Sequence, residues 1–183
     1  FKSLKRKDGT PPRSGNDGTG MVDFRGEKRT NASHQSSTDP EAKLMRKGNG
    51  QPAKLSFGAQ ALMENRHGLL IDLRISASTT SEAAAAEPML DRRRQARQRM
   101  RTLGADKGYH SKGFVRLLLR RAIKPHIARI DGRNTPGLDG RTTRHAGYGT
   151  SQRKRKRIEE IFGWMKSVGG LRRTRFVGIS KTQ

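Results

Sequence analysis

Residues 103–109 read LGADKGY, a small apolar run that stops at an aspartate and passes into lysine, glycine and tyrosine. With the residues before it, RTLGA at 101–105 is expected to form a short strand ending at Asp106. Downstream, SKGFVRLLLRRA reads as a helix capped by Ser111, and IKPHIAR at 123–129 as a second short strand, with Pro125 marking a candidate sheet edge. Strand, helix and strand around a terminal acid suggest an α/β sheet, in which functional side chains gather at the carboxyl ends of strands.

Upstream of this stretch, AKLSFGAQALM, the turn ENRHG and LLIDLRIS predict an antiparallel hairpin, since Leu69, Ile71, Leu73 and Ile75 alternate with period two. SEAAAAEPMLDRRRQARQRM follows as a helix with Ser81 as N-cap. Proline costs about 3 kcal/mol inside a helix, so Pro88 implies either a kink or a start near Glu87. Residues 1–52 are rich in Gly, Ser, Pro, Asn and charge and are expected to be mainly loop, with 36–47 the one organised piece. Residues 130–149 are also read as loop.

TSQRKRKRIEEIFGWMKSVGG predicts one long helix stopping at Gly169–Gly170. At about 100° per residue, Ile158, Ile161, Phe162 and Met165 form one apolar stripe. Gln152, Arg155, Glu159 and Lys166 fall within roughly 60° on an adjoining one. Trp164 and Phe162 are expected in the core rather than as platforms for bases.

The 183 residues carry 40 Lys+Arg against 16 Asp+Glu, a formal charge of +24, which a polyanion would neutralise. Nucleic acid fits better than a membrane surface, because no run approaches the roughly 20 apolar residues of a spanning helix. Only 31% of residues are hydrophobic, so the core must be concentrated in part of the chain. Without cysteine there is no disulfide, no thiolate metal site and no cysteine nucleophile. His34, His67, His110, His126 and His145 lack metal-binding spacing, and GNDGTG lacks the strand and helix that a phosphate loop requires.

Phosphodiester chemistry with divalent metal needs converging carboxylates, so that ions can activate the attacking oxygen and neutralise the leaving one. Asp106 at a strand end and Glu159 on a helix are candidates, with Glu160 pointing about 100° away as a surface group. Each has a plainer reading. Asp106 before Lys107 and Gly108 suits a turn cap, and Arg155–Glu159 suits an ordinary i, i+4 ion pair.

Taken together, TLGADKGY at 102–109, GEKRTNASHQSSTDPEAKLMRKG at 26–48, ALMENRHGL at 61–69, DGRTTRHAGY at 139–148 and SQRKRKRIEEIFGWMKSVGGLRRTRF at 151–176 resemble a bacterial insertion-sequence transposase of the DDE class. The resemblance implies a ribonuclease H-like α/β fold, a mixed sheet flanked by helices. It also implies metal-assisted hydrolysis at element ends, followed by strand transfer into target DNA. Asp106 matches the second acid and Glu159 the third, within a signature of tyrosine, two residues, arginine, three residues, glutamate, six residues, lysine. Arg155 and Lys166 fill that signature, whereas Gln152 replaces the tyrosine.

By the same resemblance, Asp106 and Glu159 would be catalytic metal ligands for Mg2+ or Mn2+, and Lys107, Arg155 and Lys166 would contact DNA phosphates. The family's first acid sits in a DGT context on an apolar strand. Asp8 and Asp17 stand in such contexts but follow no apolar run, so both read as loop residues, and Asp39 is not a family catalytic acid. The expected organisation is a basic loop-rich segment 1–52, a partial catalytic domain 53–176 without its first, central strand, and a truncated tail 177–183. Such a fragment is expected to be inactive by itself. Its expected partner is double-stranded DNA, at element ends and target, in a bacterial cytoplasm beside the nucleoid, with a homodimer left open. The alternatives are a catalytically inactive basic DNA-binding remnant and, further off, a structural protein of a ribonucleoprotein.

Overall fold

The structure, a computed structural model, describes residues 4–9, 29–46, 48–49 and 51–183. Two compact units divide the chain: residues 1–59, 75–80 and 174–183 form the first, and residues 60–74 and 81–173 the second. The expected α/β class is the one adopted, with the strands of the described residues few and shared among three small sheets.

In the first unit, β1 (Leu4–Arg6) pairs antiparallel with β2 (His34–Ser36), Leu4 opposite Ser36. β3 (Lys43–Met45) pairs antiparallel with β4 (Lys54–Met63), Lys43 opposite Ser56. Asn31 props β3 from the side, its Oδ1 accepting from Leu44 N at 2.7 Å and its Nδ2 donating to Leu44 O at 2.9 Å. A closing four-residue helix, Ile179–Thr182, is held by acids, since Asp39 Oδ2 accepts from Gly178 N and Glu41 Oε2 from Ile179 N. Within the described residues of 1–52, turns and loops predominate as expected, and the three short strands are the ordered additions. Three-residue strands carry no readable periodicity; side-chain bonds to backbone define them instead.

β4 and β5 (Leu70–Ala77) make the predicted hairpin, closed by Glu64 N donating to Leu69 O at 3.0 Å. In the second unit, α1 (Glu82–Gln95) starts at Ser81, whose hydroxyl accepts from Ala84 N, and continues through Pro88. The start near Glu87 is not used. Packing and ion pairs offset the missing hydrogen bond: Ala85, Ala86, Met89 and Leu90 are buried. Arg92 grips Asp72 of β5 with two bonds of 2.8 and 3.1 Å. Arg121 reaches Glu87 and Asp91 at 3.0 and 2.8 Å.

β6 (Thr102–Ala105) and β7 (Lys124–Ile127) pair in parallel, Ala105 opposite Ile127, with α2 (Lys112–Arg120) between them in sequence. Ser111 caps α2 as predicted. Phe114, Val115, Leu117 and Leu118 at i, i+1, i+3 and i+4 form its buried face and join Met89, Leu90 and Ile127 in the core.

The long final helix is corrected in two respects. It begins inside the expected loop, after α3 (Gly140–Thr143), as α4 (Ala146–Lys154), with Asp139 and His145 as caps. It then breaks at Arg155–Lys156 and resumes as α5 (Arg157–Ser167). Five consecutive cations, Arg153–Arg157, span the break, where like charges at helical spacing repel. α5 buries no residue completely: its apolar stripe is half-buried, and Trp164 is 62% exposed rather than in the core.

Candidate active site

Asp106 follows the last residue of β6, where the chain leaves the sheet and makes a 3-10 turn, Lys107–Tyr109. Its Oδ1 accepts from Gly108 N at 2.8 Å, so the plainer reading as a turn cap is realised. The same geometry leaves the side chain exposed at a carboxyl strand end.

A second carboxylate stands next to it, and it is Glu82 from the first turn of α1. A Cβ at Gly108 would run into Glu82 Oε2 and lie 3.1 Å from Asp106 Oδ1, so the two acids close on the turn from either side and a larger residue there would displace the Glu82 carboxylate. Burial, and secondarily the Asp106 charge, raises the Glu82 carboxyl above its ordinary pKa. Burial likewise pushes the Tyr109 phenol upward, with Glu82 and Asp106 adding to the shift. Tyr109 is held by its ring, 5.3 Å from that of Phe114. Sequence reading passed over Glu82, because an acid in a first helical turn is also the ordinary response to the helix dipole.

The signature residues follow a different path. Gln152 Nε2 donates to the carbonyl of His126 on β7, and its Oε1 accepts from Arg155 Nε at 2.8 Å. Gln152 thus anchors Arg155 beside β6, where a Cβ at Gly104 would stand 3.7 Å from Arg155 Cβ. Glu159 lies across the helix break, exposed on α5, with no hydrogen bond or ion pair to its carboxylate among the described residues. The expected Arg155–Glu159 pair is not formed; Arg155 turns to Gln152 instead. Lys166 is exposed, its Nζ 5.7 Å from the Phe162 ring centroid, and Lys107 is exposed in the turn after Asp106.

Among the described residues no three His, Asp or Glu side chains converge as a metal site. Asp8 lies in the turn after β1, 3.4 Å from Arg6, in keeping with a loop acid, and Asp17 falls outside the described residues. The buried histidines are structural clips. His110 Nδ1 accepts from Ile130 N at 2.8 Å with Nε2 3.0 Å from Thr135 Oγ1, and His126 Nδ1 is 2.7 Å from Ser151 Oγ. No helix among the described residues is long and apolar enough to cross a membrane.

Comparison with curated proteins and with solved structures gives no match. A family model described as the transposase DDE domain matches residues 15–183, and with an acid at the end of β6 and the Arg155, Glu159, Lys166 spacing in place, the chain belongs to that family.

Proposed function

We infer that this DDE domain cuts and joins DNA at insertion-sequence ends, with Asp106 and Glu159 as its metal-ligating acids. The observation that carries the reading is the exposed Asp106 carboxylate at the carboxyl end of β6, within a chain that the family model covers almost entirely. DDE transposases act in DNA transposition and use divalent metal ions. Carboxylate oxygens from separate elements are the donors that Mg2+ or Mn2+ takes, so the residues fit in kind. When bound, the ion supplies charge neutralisation on the attacking and leaving oxygens.

The chain's own part is positioning. Asp106 is fixed by its bond from Gly108 N, and Gln152 holds Arg155 toward β6. Arg155, Lys107 and Lys166 offer cations to phosphate oxygens. The test joins the chain to an apolar strand bearing an aspartate and measures Mn2+-dependent nicking of an element-end duplex. Asp106→Asn and Glu159→Gln are each expected to reduce nicking to background. Nicking that survives Glu159→Gln would end the assignment.

A second reading, a DNA-binding remnant without catalysis, draws on one observation: no three acids converge among the described residues. It predicts duplex binding that is intact without metal, and no bound Mn2+ that Asp106→Asn removes. By either reading the chain without an added first acid is expected to be inactive in cleavage.

A further inference from the structure

α1 has its first turn beside Asp106 and its last turn at the opposite end of the parallel pair, where Arg94 meets the residues leading into β6. Fourteen residues at 1.5 Å each separate the two ends by about 21 Å. At that far end a cleft of about 990 Å³ opens between the C-termini of α1 and α2 and the amino ends of β6 and β7.

The cleft is lined by Arg94, Arg97, Arg99, Arg101, Arg120 and Lys124, all exposed. Among the described residues none of the six has an ion pair or side-chain hydrogen bond. Arg121, also on its wall, is already spent on Glu87 and Asp91. No Asp or Glu of the described residues lines it.

The plain account is that such cations balance the two helix C-termini meeting here. Its size decides against it: two helix ends present about −0.5 charge each, and the six unpaired cations leave most of their charge over. Concave walls concentrate that potential.

The lining also favours one occupant. Among the described residues it contains no Phe, Tyr or Trp on which an unpaired base could stack, and His145 is turned to capping α4. Backbone phosphates of a duplex need only the cations.

We propose that this cleft is a second phosphate-binding surface for double-stranded DNA, separate from the acid end of the same unit. It rests on the reading of the chain as a DNA-processing domain and adds a site that the signature residues do not include. A duplex engaged at Asp106 and a duplex engaged here contact different ends of α1.

The experiment compares three forms of the whole chain in binding to a labelled duplex of about 30 base pairs across a salt series: wild type, Arg99→Gln/Arg101→Gln/Lys124→Gln, and the charge-matched Lys5→Gln/Lys54→Gln/Lys181→Gln. Three lost phosphate contacts should reduce the slope of log K against log salt by about 2.7, from roughly 0.9 per contact. At least a tenfold loss of affinity near 0.1 M salt should accompany it, while the matched control changes by less than a third as much. Equal losses in the two triple variants overturn the cleft and leave DNA binding standing. A wild type without salt-dependent duplex binding overturns both readings. Tighter binding to single-stranded RNA of equal length overturns the duplex as occupant. Lysine acetylation of unmutated chain gives an independent readout: Lys124 should be protected by duplex several-fold more than Lys54, and equal labelling with and without DNA counts against the cleft.

Discussion

His110 shows how one side chain can fix local geometry without chemistry. It is 1% exposed, and its Nδ1 receives the Ile130 N–H, so the ring proton belongs on Nε2 facing Thr135. Burial, then the charges of Arg133 and Arg129, lower its pKa below the ordinary histidine value. The unfolded chain therefore takes up this proton first as pH falls. Its contribution to stability is complete above about pH 6.5 and declines as pH drops toward the folded-state value. His126, lowered by burial, His145 and Lys124, acts with the same sign. The urea midpoint is expected to fall between pH 7.5 and 5.5, and His110→Asn, which keeps an acceptor for Ile130, should flatten that fall. A midpoint that rises on acidification would refute the account. None of this could be read from the sequence, because the partners of His110 lie 20 and 25 positions away.

At the scale of elements, legibility followed the caps. Ser81 and Ser111 each stand before an apolar or alanine-rich run, a local signal that needs no tertiary information, and both helices begin where these residues place them. The hairpin was legible for the same reason, its period two and its turn both lying within 25 residues. The break between α4 and α5 was not, because residues 149–157 hold no apolar side chain whose periodicity could register it, and charge repulsion leaves no mark in that pattern. Pro88 is the instructive middle case. The sequence identified the conflict, and only the contacts of α1 with Asp72 and Arg121 show why the helix persists. Pro88→Ala restores the missing donor, worth about 3 kcal/mol in a helix interior, and returns up to about 1 kcal/mol of entropy to the unfolded chain. A net gain of about 2 kcal/mol in urea unfolding is expected. No gain would mean that α1 is already distorted enough to accept the ring.

For the whole chain, the candidate site was legible in halves. Asp106 stood out because a strand pattern ended on it, and it does occupy a carboxyl strand end. Glu82 beside it and the six cations of the cleft were hidden, since residues from 94 to 124 converge only after α1, α2, β6 and β7 pack. What the sequence did announce was the charge, +24 over 183 residues. That excess opposes folding through self-repulsion, whereas exposed pairs such as Arg141–Asp139 contribute little against it. Raising sodium chloride from 0.01 to 0.1 M shortens the screening length from about 30 to about 10 Å, which weakens both effects. Repulsion involves many more charges at longer range, so it should lose more. The chain is therefore expected to gain about 1 kcal/mol, seen as a rise in Tm of about 2–4 °C, over this range. A duplex added at low salt should raise Tm further, by neutralising the same charge with its phosphates. A Tm that falls with salt would place the stabilising weight on ion pairs such as Arg92–Asp72 and Arg121–Asp91, and the excess of positive charge would then have no measurable cost to the fold.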